Sequence, residues 1–279
     1  MDRPAAFVLG GGGVHGVSQV GMLLALAEAG VVPDAVYGTS VGAINGAMYA
    51  AEPGHASVAR LHSLWQKLAD SDLFGGSLLA QASTLLRTRT HLHPASALNE
   101  LLAATLGDVR VEDLALPYQC VAASIERATE QWFTAGPLME AVLASCAVPG
   151  LLPPVEIDGE HFLDGGLVDS IPVGRAVALG ARTVYVLQVG RVETPLRPPR
   201  GPSEVGFVAF EIARRHRFTT TMANLPDGVA VHVLPAGADP QRLTGLRQLR
   251  YRDLSDVPDR IESARDATTS YLRAVGIAP

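Results

Sequence analysis

Residues 5–30 read AAFVLGGGGVHGVSQVGMLLALAEAG, and within them a strand, a turn and a helix follow in quick succession. Ala5–Leu9 is short and wholly apolar, as expected of a strand buried on both faces of a parallel sheet. Gly10, Gly11, Gly12 and Gly13 break it. Val17, Val20, Leu24 and Ala27 then recur at helical spacing, with Met22, Leu23 and Leu26 filling the flanks. A helix apolar almost all round is a buried one, and Gly30 ends it as a C-terminal cap. A second unit repeats the pattern: Asp34–Tyr37 extended, Gly38–Gly42 as a sharp turn, and Val41–Ala51 as a helix of small residues. Gly42, Ala43, Gly46, Ala47 and Ala50 let that helix lie close to a sheet.

Working outward, further strands are expected at Gln119–Ala123, Gln131–Phe133, Val184–Val189 and Val229–Leu234. Asp158-Gly159, between two short extended runs, is the strongest short hairpin signal. Strands alternating with helices predict an α/β layered fold with a largely parallel sheet. The 279 residues are read as one domain, with two stretches as cover, 71–93 and 190–218. The first mixes leucines with Ser, Thr, Gln and Arg. Within the second, Gly190–Ser203 carries Pro195, Pro198, Pro199 and Pro202, which forbid regular helix or inner strand there. A helix is then expected over Glu204–Phe218, ending in Arg214, Arg215, His216 and Arg217. Cations suit a helix C-terminus on electrostatic grounds alone; a membrane-facing basic end is the functional alternative.

Composition narrows the function classes. Hydrophobic residues at 48% supply a substantial core, and a net charge of −6 argues against a general nucleic-acid binder. Two cysteines, Cys120 and Cys146, are too few for a disulfide scaffold and lack metal-type spacing; both are expected to be buried thiols. No apolar run approaches the ~20 residues of a membrane-spanning helix, and Ala5–Leu9 is too short for a signal-peptide core. A cytoplasmic location is therefore expected, with peripheral membrane contact left open.

Three features carry chemistry. Gly11-x-Gly13-x-x-Gly16 between a strand and a helix serves either a pyrophosphate at a helix N-terminus or an oxyanion held by backbone amides. The dinucleotide reading expects a carboxylate at the end of the second strand, where this chain has Tyr37-Gly38-Thr39-Ser40. Gly38-Thr39-Ser40-Val41-Gly42 is Gly-x-Ser-x-Gly between a strand and a helix, the setting of a nucleophile elbow. Glycine on both sides of Ser40 avoids clashes in so tight a turn, and the helix dipole favours a developing anion there. The alternative is an ordinary serine N-cap. Asp164-Gly165-Gly166, after the hairpin, sets a carboxylate on a turn that backbone can approach closely; the alternative is a plain turn aspartate. Asp169 and Ser170 read as helix-capping residues.

Together these features resemble the patatin-like phospholipases. The family's glycine-rich loop, serine elbow and late Asp-Gly-Gly correspond to Gly10–Gly16, Gly38–Gly42 and Asp164–Gly166. Ala144-Ser145-Cys146-Ala147-Val148-Pro149-Gly150, Pro153-Pro154-Val155 and Ile171-Pro172-Val173 are also similar to the family's runs. The resemblance implies a three-layer α/β/α fold and a lipid or other acyl-ester substrate. It also implies a serine–aspartate dyad of Ser40 and Asp164, an oxyanion hole at Gly11, Gly12 and Gly13, and no metal or cofactor. Physically, an aspartate is a poor base near pH 7 unless burial raises its pKa. One departure is His15, where the family usually has Arg or Lys. A histidine is only partly charged near neutrality; if the family's cation holds an anionic head group, a neutral ester is favoured here, and the alternative is a histidine that packs in the loop.

Two competing readings keep Ser40. An acyltransferase proceeds through the same acyl-enzyme. A Ser–His–Asp α/β-hydrolase needs His216 or His232 as base, but that fold places its elbow after several strands, whereas Ser40 follows two.

Overall fold

The computed structural model describes residues 4–70, 88, 96–189, 195–199, 201–237 and 256–278. The opening apolar run forms β1 (Ala5–Leu9), followed by a 3₁₀ turn (Gly13–Gly16) and α1 (Val17–Glu28). Gly30, at φ 69°, closes α1 with a Schellman cap: Val31 N–H donates to Leu26 O and Gly30 N–H to Ala27 O. Next come β2 (Ala35–Thr39) and α2 (Val41–Ala51), with Ser40 alone between them. The turn is thus tighter than Gly38–Gly42. The helices α3 (His55–Asp70) and α4 (Ser96–Leu106) precede β3 (Tyr118–Ser124), β4 (Thr129–Phe133) and α5 (Leu138–Ser145).

The Asp-Gly signal is a hairpin between β5 (Val155–Ile157) and β6 (Glu160–Asp164). Asp158 and Gly159 both take positive φ, 52° and 80°, as a two-residue hairpin turn of this kind requires. After the short α6 (Gly166–Asp169) and α7 (Val173–Ala178) come β7 (Thr183–Leu187), α8 (Pro202–Ala223), β8 (Ala230–Val233) and α9 (Val257–Ala274).

The eight strands form one sheet. A parallel block runs β3-β2-β1-β7-β8, and the antiparallel strands β4, β5 and β6 extend it beyond β3. Alternate residues of β1 serve two cores. Phe7 and Leu9 join the cluster with α1 to α5 and α9, whereas Ala6 and Val8 join Ile171, Val173, Ala176 and the partly buried Phe218 and Met222. The sheet is therefore sandwiched between helices on both faces, as expected. None of the described helices is long and apolar enough to cross a membrane.

The helix expected to end at Phe218 continues to Ala223, because Phe218 and Met222, one turn apart, both pack on the second core. Its basic residues consequently sit mid-helix rather than at its end. Arg214 and Arg215 pair with Glu211, and Arg217 with Glu130 and Asp169. These ion pairs account for Arg214, Arg215 and Arg217 without a membrane. Residues 71–87, 89–93, 190–194 and 200, from the two expected cover stretches, lie outside the described residues.

One packing contact is set by a missing side chain. A Cβ at Gly21 of α1 would run into the Ile261 carbonyl of α9 and stand 2.9 Å from Ala264 Cβ. Gly21→Val should therefore push the two helices apart and cost about 1–3 kcal/mol, the usual range for overpacking. A fall in the urea midpoint at unchanged slope would record it.

Candidate active site

Ser40 holds φ 56° and ψ −127°, a strained backbone for a residue with a side chain. The flanking glycines are required by close approach. A Cβ at Gly42 would collide with the Leu9 carbonyl, and one at Gly38 would lie 2.5 Å from Gly42 O and 2.7 Å from Ala43 Cα. Ser40 O accepts the N–H groups of Ala43 and Ile44, so α2 starts at once. Its side chain makes no capping bond. Instead Ser40 Oγ donates to Asp164 Oδ2 at 2.6 Å, and Ser40 N–H donates to Ser145 Oγ at 2.9 Å. The N-cap alternative does not describe this serine.

Register explains how residues so far apart in sequence meet. On β3, residues 118–121 pair with β2 and residues 122–124 pair with β6, while β4 takes 120–124. Since β4 overlaps both, β2 and β6 share the opposite edge of β3, end to end. Thr39 stands opposite Val121 and Asp164 opposite Ala122, so the ends of the two strands abut. The chain turns so closely there that a Cβ at Gly165 would run into the Val121 carbonyl.

Asp164 is 2% exposed. Its Oδ1 accepts the Gly166 N–H at 2.7 Å. Burial drives its pKa up to about 6, against the opposing pull of the Ser40 hydroxyl, the Gly166 N–H and the Arg214 charge. Asp169 is likewise raised to about 6 by burial, against the pull of Arg217. Its carbonyl accepts Thr39 Oγ1–H at 2.8 Å. Both cysteines are buried; the Cys120 thiol is pushed up to about 12 by desolvation and Cys146 well above its ordinary value.

The glycine loop lies beside Ser40, with a Cβ on Gly11 only 3.2 Å from Ser40 Cβ. Gly11 N–H donates to Ser170 O at 3.0 Å, which removes it from the three expected oxyanion donors. Among the described residues no hydrogen bond is made by the N–H of Gly12 or Gly13. Gly13 takes φ 57°, and a Cβ at Gly12 would meet Val189 Cγ2 at 2.6 Å. At Gly16 a Cβ would stand 2.5 Å from Val41 Cγ2.

Sequence reasoning missed the polar scaffold under this loop. Gln19 Nε2 donates to Gly10 O and Leu187 O, while its Oε1 accepts Asn45 Nδ2. Asn45 also donates to Gly16 O and accepts Trp65 Nε1–H. The available signal was Gln19 beside the apolar run of α1 and Asn45 among the small and apolar residues of α2, since buried polar groups need partners.

The histidines of the alternative triad are elsewhere. His232 sits on β8, stacked on Tyr185 and bonded through Nδ1 to the Tyr271 hydroxyl at 3.1 Å. His216 is exposed on α8. His15 is half-buried in the 3₁₀ turn.

Two cavities meet at Ser40. One, of about 40 Å³, is apolar and bordered by Val41, Ile44, Trp65, Leu98 and Leu101. The other, of about 400 Å³, is bordered by Gly11–Gly13, Asp164, Leu167, Phe210, Glu211 and Arg214.

Comparison with known proteins gives a consistent picture. A family model described as patatin-like phospholipase matches residues 7–177. A protein named lysophospholipase nte1 from Aspergillus terreus is 33% identical over 207 residues, covering 74% of this chain and 13% of that protein. The protein of the same name from Neurospora crassa is 32% identical over 208 residues, covering 75% of this chain and 13% of its own length. The chain thus spans about an eighth of the curated relatives it matches. The crystal structure of VipD from Legionella pneumophila shares the fold, with a TM-score of 0.51 at 14% identity over 98% of this chain and 67% of that one.

Proposed function

The chain belongs to the patatin-like phospholipase family, and on that premise we propose that it hydrolyses lipid acyl esters with Ser40 as nucleophile and Asp164 as its base. The observation that carries this reading is the 2.6 Å hydrogen bond from the strained Ser40 to a buried carboxylate. As Ser40 Oγ attacks the acyl carbonyl, its proton passes to Asp164 Oδ2. The N–H groups of Gly12 and Gly13 receive the oxyanion, a contribution typically of about 3 kcal/mol per donor. Collapse expels the alcohol, which takes the proton from Asp164. Water then attacks the acyl-enzyme and gives a proton to the same carboxylate; the acyl–Oγ bond breaks, Ser40 Oγ takes that proton back from Asp164, and the acid leaves.

The larger cavity, walled by Leu167 and Phe210 as well as Glu211 and Arg214, has the room for the substrate, and the apolar recess of about 40 Å³ admits only the part of the acyl group next to Ser40. The larger cavity's volume falls within the usual range for small-molecule sites, about 300–1,000 Å³. The relatives' name supports a phospholipid bearing one acyl chain as the substrate class.

Asp164 must be ionised to accept the proton, so activity is gained as pH rises through its pKa. For a neutral short-chain ester, kcat/KM should rise with a midpoint of about 6, because that ratio reports the free enzyme. The limb should persist in His216→Gln and His232→Gln. A limb abolished by either substitution in a folded protein would make histidine the base instead.

A further inference from the structure

The glycine loop poses a problem that the proposed reaction leaves open. The Gly11–Gly12 peptide is flanked by glycines, so little steric cost opposes its rotation, and a rotated peptide would present a carbonyl where an oxyanion needs N–H. Something must hold it. The two successive peptides are held from one side by α8 and by the segment after α6. Gly11 N–H is bound to Ser170 O at 3.0 Å. Gly11 O accepts Arg214 Nη2 at 3.4 Å. Arg214 is itself fixed, donating through Nε to Ser170 Oγ at 3.1 Å and through Nη1 to Glu211 Oε1 at 2.8 Å. Arg214, Glu211 and Ser170 are all buried, Arg214 at 7% exposure.

A trans peptide sets its C=O and the next N–H on opposite sides. Anchoring Gly11 O on the guanidinium therefore aims Gly12 N–H the other way. We propose that Arg214, braced by Glu211 and Ser170, is a positioning residue that locks the Gly11–Gly12 peptide in the orientation that offers Gly12 N–H to the oxyanion. This inference rests on the reaction proposed above and adds to it a residue some 200 positions from the loop it controls. The guanidinium suits the task because one planar group serves three acceptors in fixed directions, which an ammonium cannot do.

Arg214 also lowers the Asp164 pKa through its charge, so positioning and charge must be separated. The charged or titratable groups facing Asp164 are Arg214 from α8 and the Cys146 thiol beyond α5. Arg214→Lys keeps the charge opposite Glu211 but loses the fork; Arg214→Gln loses both. On a p-nitrophenyl ester, both variants should lose about 10²-fold in kcat, the scale of one oxyanion donor, with KM within about threefold of wild type. The rising pH limb should stay in place for the lysine variant and move upward for the glutamine variant. Wild-type kcat in Arg214→Lys would reduce the residue to a charge and overturn the proposal, as would an equal rise in KM without loss of kcat. Ser170→Ala removes the brace without stranding a buried charge and is expected to fold; it should lower kcat about tenfold, the kind of loss small misplacements produce. Unchanged kcat there also counts against the proposal. Wild type and Ser40→Ala run alongside: a wild type without esterase activity, or an active Ser40→Ala, would remove the underlying reaction, whereas an inactive Ser40→Ala with fully active Arg214 variants removes only the clamp.

Discussion

Asp164→Asn is expected to lower kcat by about 10²–10⁴-fold, the range over which a positioned base contributes. The amide retains the shape, and its oxygen can still accept the Gly166 N–H that Asp164 Oδ1 accepts at 2.7 Å, but it cannot take the Ser40 proton. Stability should move in the opposite direction. The native carboxyl holds its proton up to about 6, against an ordinary aspartate value of 3.8. Between these values the native state binds more protons than the unfolded chain, so wild-type stability falls as pH rises through that window. About two pKa units correspond to roughly 3 kcal/mol, and the asparagine variant is free of that loss. Its melting temperature relative to wild type should therefore climb from pH 4 to pH 7. Asp169, raised to about 6 by the same burial, adds a similar slope to both proteins and drops out of the difference. An asparagine variant with near-normal kcat would remove Asp164 from the chemistry.

The contrast between a faster-melting active protein and a more stable inactive one follows from where the carboxyl sits. A buried charge with few compensating bonds is a cost to folding and an asset to proton transfer. The strained Ser40 backbone belongs to the same bargain.

What the sequence discloses and what it conceals divide along a physical line. β1 was legible to the residue, as were the Asp158-Gly159 hairpin and the Gly30 cap, because each is dictated by local conformational preference. Gly38 and Gly42 were legible as the glycines flanking the serine, but they close β2 and open α2, and the contacts that require them, Gly42 on the Leu9 carbonyl and Gly38 on Ala43, appear only in the fold. The abutment of β2 and β6 on one edge of β3 was not legible, since register between distant strands leaves no mark within either strand. The clamp was hidden likewise: Arg214 lies in a basic run that reads as a charged helix end, and only the fold reveals that it is buried beside Gly11. The sequence understates the length of α8 because the basic run 214–217 reads as a helix end, whereas Phe218 and Met222 beyond it form an apolar stripe on the second core. Gln19 and Asn45 were overlooked because a buried amide is recognisable only by its partners.

Ser40 is the group whose attack the proposed reaction requires. Its hydroxyl already lies 2.6 Å from Asp164, at the junction of the two cavities. Treatment with an active-site-directed fluorophosphonate, followed by intact-mass and peptide mapping, should give one adduct per chain, on Ser40. The rate of labelling should fall in Asp164→Asn, and labelling should vanish in Ser40→Ala. Adduct formation that survives Ser40→Ala, or that maps to another residue in the wild type, would contradict the assignment.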